Sequence, residues 1–256
     1  MPRFIDIHAE KRKALNLFQA VEPCVELVGN TQMVTGGTAY PEIGAIINGI
    51  SEAAIVQPDE IPGFVARMSH GSTGDAEANV KLTKKLLEFN PPHKTPFEFM
   101  QWVFKITGVS KSCLTQFDRN RVGIGFVQMS GRYMDRSESG FVYTAYAEKE
   151  WDGAINSAKA SLYRDSIHYE SCVTAYNDAR ALDCTRQDAR KNLPVSQATG
   201  TYVYMNSSSL KQFFNERLRP AAEWEIRRLA QMLFGIVYAI APAHFEAEKL
   251  LLDGKL

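Results

Sequence analysis

Arg119-Asn120-Arg121, followed after eight residues by Ser130-Gly131-Arg132-Tyr133, is the stretch from which the rest of the chain can be read. Three arginines fall within fourteen residues, and a short glycine-containing turn closes the run where backbone N–H groups can face an anion. A guanidinium fork matches phosphate oxygens bidentately and turn amides add donors, so the cluster is a candidate phosphate cradle. The competing reading of any lone R-x-R is a helix end with solvated arginines. Other stretches bear on that choice: His93-Lys94-Thr95-Pro96-Phe97-Glu98 upstream, Ala189-Arg190 with Leu193-Pro194 downstream, and the segment from Asn206 to Ile226.

Composition narrows the classes. A chain of 256 residues is long enough for one or two domains, and a single compact one buries roughly 70–75% of its unfolded surface. No internal repeat divides it, so one domain is expected over 1–256. Lys+Arg and Asp+Glu both number 29, which removes the general electrostatic case for long nucleic acid or an anionic membrane. The arginines are therefore local tools. The start, Met1-Pro-Arg-Phe-Ile-Asp-Ile-His, has early charge and no apolar signal core, and no stretch reaches the roughly 18–20 apolar residues that span a bilayer. A cytoplasmic protein is expected. Four cysteines without a C-x-x-C pair and five histidines without H-E-x-x-H spacing signal neither a disulfide framework nor a metal site. Gly123-Ile124-Gly125 lacks a third glycine in register, so no Rossmann site is expected.

Along the chain, residues 1–20 carry a loose helical pattern, and Val25-Glu26-Leu27-Val28 alternates as an edge strand does. Turns at Gly29-Asn30 and Gly36-Gly37 bracket another short strand, and residues 38–60 read, with 1–20, as possible protein-specific additions. Pro62 suits the first turn of a helix that ends near Ser69-His70-Gly71. Residues 75–90 form the clearest amphipathic helix, with Val80, Leu82, Leu86, Leu87 and Phe89 apolar and Asn90-Pro91-Pro92 as its stop. Thr95 and Glu98 read locally as caps of a turn at Pro96. Trp102 to Ile106 is strand-like. Residues 110–120 read as a helix on which Gln116 and Arg119 share a face. A strand is expected at 141–144, a long helix over 147–181, and a second over 185–192 with Arg190 in its last turn, where a cation favours the helix dipole. Residues 202–205 are strand-like, and Ser207, Ser208 and Ser209 can cap the helix carrying Leu210, Phe213 and Phe214. In the last helix, 221–241, the face with Trp224, Ile226, Leu229, Leu233, Ile236 and Val237 is core or subunit interface.

In this order, over roughly residues 64 to 246, the quoted stretches resemble the flavin-dependent thymidylate synthases, with their H-x-T-P-F-E, R-H-R followed by S-x-R-Y, A-R-x-x-L-P and N-x-R-S-L motifs and a W-E-I segment. The resemblance implies an α/β (α+β) fold with a mixed, largely antiparallel sheet flanked by helices. It implies reductive methylation of dUMP to dTMP, with FAD as cofactor and NADPH and methylenetetrahydrofolate as co-substrates. By the same resemblance Gln116, Arg119, Ser130, Gly131, Arg132 and Arg190 contact the nucleotide, and Arg217 acts at the uracil ring. Ser69, Thr95, Glu98, Asn120, Arg121, Asn206 and Gln212 hold the flavin. It further implies a homotetramer with active sites shared between chains, and no cysteine nucleophile.

Four departures accompany the match. Asn120 replaces the signature histidine, an amide that cannot take up charge near neutral pH. Gln128 replaces a glutamate, Ser208 replaces an arginine, and one extra residue separates Arg121 from Ser130, to be absorbed by a bulge or shifted turn, unless the match before Ser130 is displaced by one position. They leave two other readings open: C5 modification of another pyrimidine nucleotide, such as hydroxymethylation, and a catalytically silent flavin- or nucleotide-binding homologue.

Overall fold

A computed structural model describes residues 21, 23–31, 33–35, 54–143 and 155–255. In chain order these form strands β1 (Cys24–Asn30), β2 (Met33–Thr35) and β3 (Ala54–Val56), helices α1 (Ile61–Arg67) and α2 (Ala76–Glu88), then β4 (Gln101–Ser110), α3 (Lys111–Phe117) and β5 (Ile124–Gln128). The long α4 (Ile155–Ala181) and the short α5 (Arg186–Ala189) follow, then β6 (Ala198–Asn206), α6 (Ser207–Arg217), α7 (Trp224–Ile240) and α8 (Glu246–Leu252). The helical pattern in 1–20, the turn at Gly36-Gly37, most of 38–60 and the expected helix start at 147 lie outside the described residues.

The main sheet runs β1-β4-β6-β5 with every described pairing antiparallel, and β2 pairs with β3 apart from it. Alternation in β4 decides which side is core: Trp102, Phe104 and Ile106 are fully buried, while Val103 and Lys105 face the other way. Leu27, Phe104, Val203 and Phe126 stand opposite one another across the four strands, an apolar row that fixes the register. A register shift between Thr107 and Val109, where Gly108 takes φ 70, changes the phase so that Val109 and Ser110 both turn inward. That shift delivers Ser110 to the start of α3.

Helices α3, α6 and α7 cover this face. On α7 the residues Ile226, Leu229, Ala230, Leu233, Phe234 and Val237 form one buried stripe, so the face that the sequence left as core or interface is core. Phe214 of α6 meets Phe234 and Phe245 edge-on at 5.4 and 5.6 Å.

Three expectations change. The buried residues of α2 are Asn79, Thr83 and Leu86, because Asn79 Oδ1 accepts from Arg67 Nε at 2.7 Å and Thr83 Oγ1 accepts from Gly63 N at 2.9 Å. Those bonds turn the polar residues toward α1 and leave Phe89 41% exposed. The strand expected at 141–144 is a single bridge between Phe141 and Gln197. Helix α6 is capped by Asn206, whose Oδ1 accepts from Ser209 N at 2.8 Å, in place of the three serines.

A buried polar chain pins the C-terminal part to the sheet. Trp102 Nε1 donates to Ser207 Oγ at 2.9 Å, Ser207 Oγ lies 3.0 Å from His244 Nδ1, and His244 Nε2 lies 2.9 Å from the carbonyl of Pro58. A carbonyl only accepts, so Nε2 carries the proton and Nδ1 accepts from the serine. Burial holds this imidazole down at about 3, from an ordinary 6.5. An unfolded histidine protonates near its ordinary value, so below it the unfolded chain binds more protons and stability falls, by up to about 1.4 kcal/mol per pH unit. The loss runs from about 6.5 down to about 3. His244→Gln is expected to flatten this acid limb in urea midpoints; an unchanged slope would assign it to other groups.

Candidate functional site

The junction between β4 and α3 builds one wall of a cavity. Both carboxylate oxygens of Glu225, in the first turn of α7, accept from Ser110, one from its N–H and one from its hydroxyl, each at 2.6 Å. Ser110 Oγ in turn accepts from Cys113 N at 2.9 Å, capping α3. Lys111 N and Ser112 N donate to the carbonyls of Gln197 and Val195, each at 3.1 Å. Helix α3 is thus held from two sides. Burial raises the Glu225 carboxyl and pushes the Cys113 thiol far up, so Cys113 is a packing residue and not a thiolate.

The opposite wall is the turn after β5. Tyr133 N and Met134 N donate to the Ser130 carbonyl, each at 3.2 Å, and Arg132 N reaches Ser130 Oγ at 3.3 Å. Arg190 heads the 3₁₀ turn Arg190–Asn192, with its Nε donating to Gln187 O at 3.2 Å. Between these walls lies a cavity of ≈ 470 Å³ lined by Ser130, Gly131, Arg190, Lys111, Asp118 and Gln128 among others. A Cβ on Gly131 would stand 3.2 Å from Arg190 Cδ and 3.5 Å from Arg136 Cγ. Glycine therefore lets the two arginine stems close on the turn. Asp118 and Gln128 are tied together, Gln128 Nε2 donating to both carboxylate oxygens at 2.7 and 2.8 Å.

Three of the six residues expected at the nucleotide, Ser130, Gly131 and Arg190, meet here from segments sixty residues apart. Gln116, Arg119 and Arg132 do not line the cavity. Helix α3 ends at Phe117 with Asp118 as its cap, so Arg119 lies past the helix and the shared face with Gln116 is lost. The exposed Arg132 lies over the Tyr133 ring, 5.6 Å from its centroid. Arg217, the last residue of α6, is also outside the cavity, and its Nε is buried without a hydrogen-bond acceptor among the described residues. Strand β5 pairs with β6 without a register break from Ile124 to Gln128, so no bulge of that strand absorbs the extra residue of the signature.

A second cavity, of ≈ 700 Å³, brings Ser69 and Thr95 together. Leu82, Leu86 and Phe99 supply apolar wall, and Lys85 and Lys94 supply charge. The Leu82 and Phe89 side of α2, the apolar side of the amphipathic helix expected from the sequence, faces this space, with Phe89 stacked on His93 at 4.6 Å. Thr95 is itself the first residue of the 3₁₀ turn Thr95–Phe99, and Lys94 at the cap position makes no side-chain cap bond. The capping expected of Thr95 is therefore absent, and its hydroxyl is left to the cavity.

The other residues expected at the flavin do not line it. Glu98 and Arg121 are exposed. Asn120 Nδ2 donates to Phe117 O at 2.9 Å, closing the end of α3, and Asn206 is occupied as the α6 cap. Gln212 pairs along its own helix with Glu216 at 3.4 Å. The sequence reading missed Arg136, Lys111 and Asp118 as cavity residues. Nothing in the local pattern separates Arg136 from Arg132 four residues earlier; only the fold buries one and exposes the other. No described helix is long and apolar enough to cross a membrane, and no group of three metal-ligating side chains occurs among the described residues.

A family model described as thymidylate synthase complementing protein matches residues 53–243. A flavin-dependent thymidylate synthase of Nitratidesulfovibrio vulgaris is 32% identical over 161 residues, covering 60% of this chain and 62% of the relative. One of Geobacter sulfurreducens is 26% identical over 196 residues, covering 73% and 81%. One of Pyrococcus furiosus is 28% identical over 190 residues, covering 68% and 72%. The match thus spans less than two thirds of the first of these relatives.

Proposed function

The chain belongs to the flavin-dependent thymidylate synthase family, and from that premise we propose that it methylates dUMP to dTMP, taking the carbon from methylenetetrahydrofolate and reducing equivalents from NADPH through FAD. The observation that carries the reading is the convergence of Ser130, Gly131 and Arg190 on one cavity. They offer a hydroxyl, a turn backbone and a permanent cation, the donors a phosphate monoester needs.

The second cavity fits a flavin in chemical terms. Its apolar wall suits an isoalloxazine ring, the Thr95 hydroxyl can bond ring heteroatoms while Ser69 Oγ, which donates to Ala66 O at 2.8 Å, can still accept, and Lys85 and Lys94 line it with no acid among the lining residues. In its reduced form FAD supplies the hydride. The chain's own residues have other tasks: Arg190 and the 130–133 turn hold the phosphate, and Arg217 polarises the uracil ring so that C5 becomes nucleophilic. Its buried Nε, with no acceptor among the described residues, is a donor awaiting one. FAD titration should give bound flavin absorbance and thermal stabilisation; the absence of both would remove the cofactor.

Four-chain assembly with shared sites is part of the proposal. Arg132 is exposed, lies over the Tyr133 ring and does not line the cavity that Arg190 lines, which leaves it available to a neighbour. With the α7 stripe used inside the chain, the sheet face bearing Tyr202 and Tyr204, each 49% exposed, and the Lys105–Glu26 ion pair is a mixed surface available to a neighbour. Co-expressed Arg132→Ala and Arg190→Ala chains, each impaired alone at low dUMP, are expected to regain activity under the same conditions; no recovery in proven mixed tetramers would count against sharing.

The rival C5 modification keeps one specific support, Gln128 in the nucleotide cavity where the family pattern has glutamate. Incubation with dUMP, dCMP or UMP plus methylenetetrahydrofolate, FAD and NADPH separates the readings by product mass. A methyl product from dUMP is expected. A hydroxymethyl product would move the assignment to the rival, and no product from any nucleotide would favour a silent homologue.

A further inference from the structure

We propose that Arg136 is the buried anion anchor of the cavity between α3, the 130–133 turn and Arg190, and that it binds the phosphate group of a nucleoside monophosphate. Arg136 is only 4% exposed yet lines the cavity, so it belongs to the cavity wall and not to the outer surface. Among the described residues it takes part in no ion pair. Its Nη2 donates to the carbonyl of Ala198, and its Nη1 reaches Met129 Sδ at 3.5 Å, a weak acceptor. A buried cation answered only by neutral acceptors is costly. Burial accordingly lowers its proton affinity.

The surroundings point to an anion as the missing counter-charge. Arg190 and Lys111 line the same space, and the one acid there, Asp118, already accepts two bonds from Gln128. Three cations against one occupied carboxylate suit a dianion. The position is also built: Gln197, itself buried, donates Nε2 to the Arg136 carbonyl at 2.8 Å, and the Gly131 turn packs beside Arg136 Cγ. A volume of ≈ 470 Å³ is within the range of small-molecule sites. The proposal rests on the function above only for the nucleoside that carries the phosphate.

The test compares wild type with Arg136→Met and Arg136→Gln, the glutamine keeping a donor for the Ala198 carbonyl without the charge. Thermal shift and calorimetric titration use inorganic phosphate, dUMP and deoxyuridine. Both wild-type stabilisation by phosphate and dUMP affinity are expected to fall in the variants, the latter by roughly thirtyfold or more. Deoxyuridine binding and the melting temperature without ligand should stay near wild type. A residue that only supports the fold would do the reverse, lowering the melting temperature and sparing dUMP affinity, and that result overturns the proposal. Should the methionine chain not fold, the glutamine chain decides the matter on the same readouts. A wild type that answers phosphate but not dUMP upholds the anchor and contradicts the nucleotide reading. One that answers neither overturns both.

Discussion

Arg217→Ala is expected to lower turnover by roughly 10²–10³-fold or more while FAD remains bound, because a fixed donor aimed at developing charge contributes in the transition state and little elsewhere. The structure gives this variant little reason to unfold. Arg217 ends α6, its one ion-pair contact among the described residues is Glu216 at 3.9 Å, and its Nε is a buried donor with no acceptor there. Removing an unpaired buried donor does not break a bond that held the fold. Steady-state kinetics with a flavin absorbance spectrum checks both halves. Loss of flavin, or turnover near wild type, would displace Arg217 from the uracil ring.

Arg190→Ala is expected to act on binding instead. Its side chain is partly exposed, so the lower end of the range for losing a charge-assisted phosphate contact applies, about 2 kcal/mol or roughly thirtyfold in dUMP affinity. Deoxyuridine, which lacks the phosphate, should bind the variant as it binds wild type. Calorimetry with both ligands checks this, and unchanged dUMP affinity would remove Arg190 from the site. Gly131 gives the same cavity a steric constraint: a Cβ there would stand 3.2 Å from Arg190 Cδ, so the Arg190 stem would have to give by a few tenths of an ångström.

Much of the fold was legible because its signals are local. Trp102, Phe104 and Ile106 alternate, Asp75 caps α2 just before its first turn, and the α7 stripe repeats at helical spacing. Where the reading failed, a distant partner had decided. Asn79 and Thr83 are buried because α1 supplies their hydrogen bonds, which no pattern within α2 announces. Arg119 leaves the helical face because α3 ends at Phe117, three residues before the end expected. The site divides in the same way. Motifs named Ser130, Gly131 and Arg190, and the fold brought them together. Arg136 had no motif, and its burial depends on packing among residues 129, 131, 197 and 198.

The exposed positions of Arg121, Arg132, Glu98 and Gln212 follow from one chain taken alone. A shared site would give those side chains their partners across a subunit boundary.

The central claim, that this chain couples flavin oxidation to methylation of a pyrimidine nucleotide, is tested most directly in a single turnover. Protein with reduced FAD, free of oxygen, is mixed with dUMP and methylenetetrahydrofolate. Flavin absorbance and nucleotide mass are followed together. The account predicts that flavin oxidises only when both substrates are present and that dTMP forms in equal amount. Reduced flavin that stays bound and unoxidised in the presence of both substrates, with dUMP recovered unchanged, would contradict it.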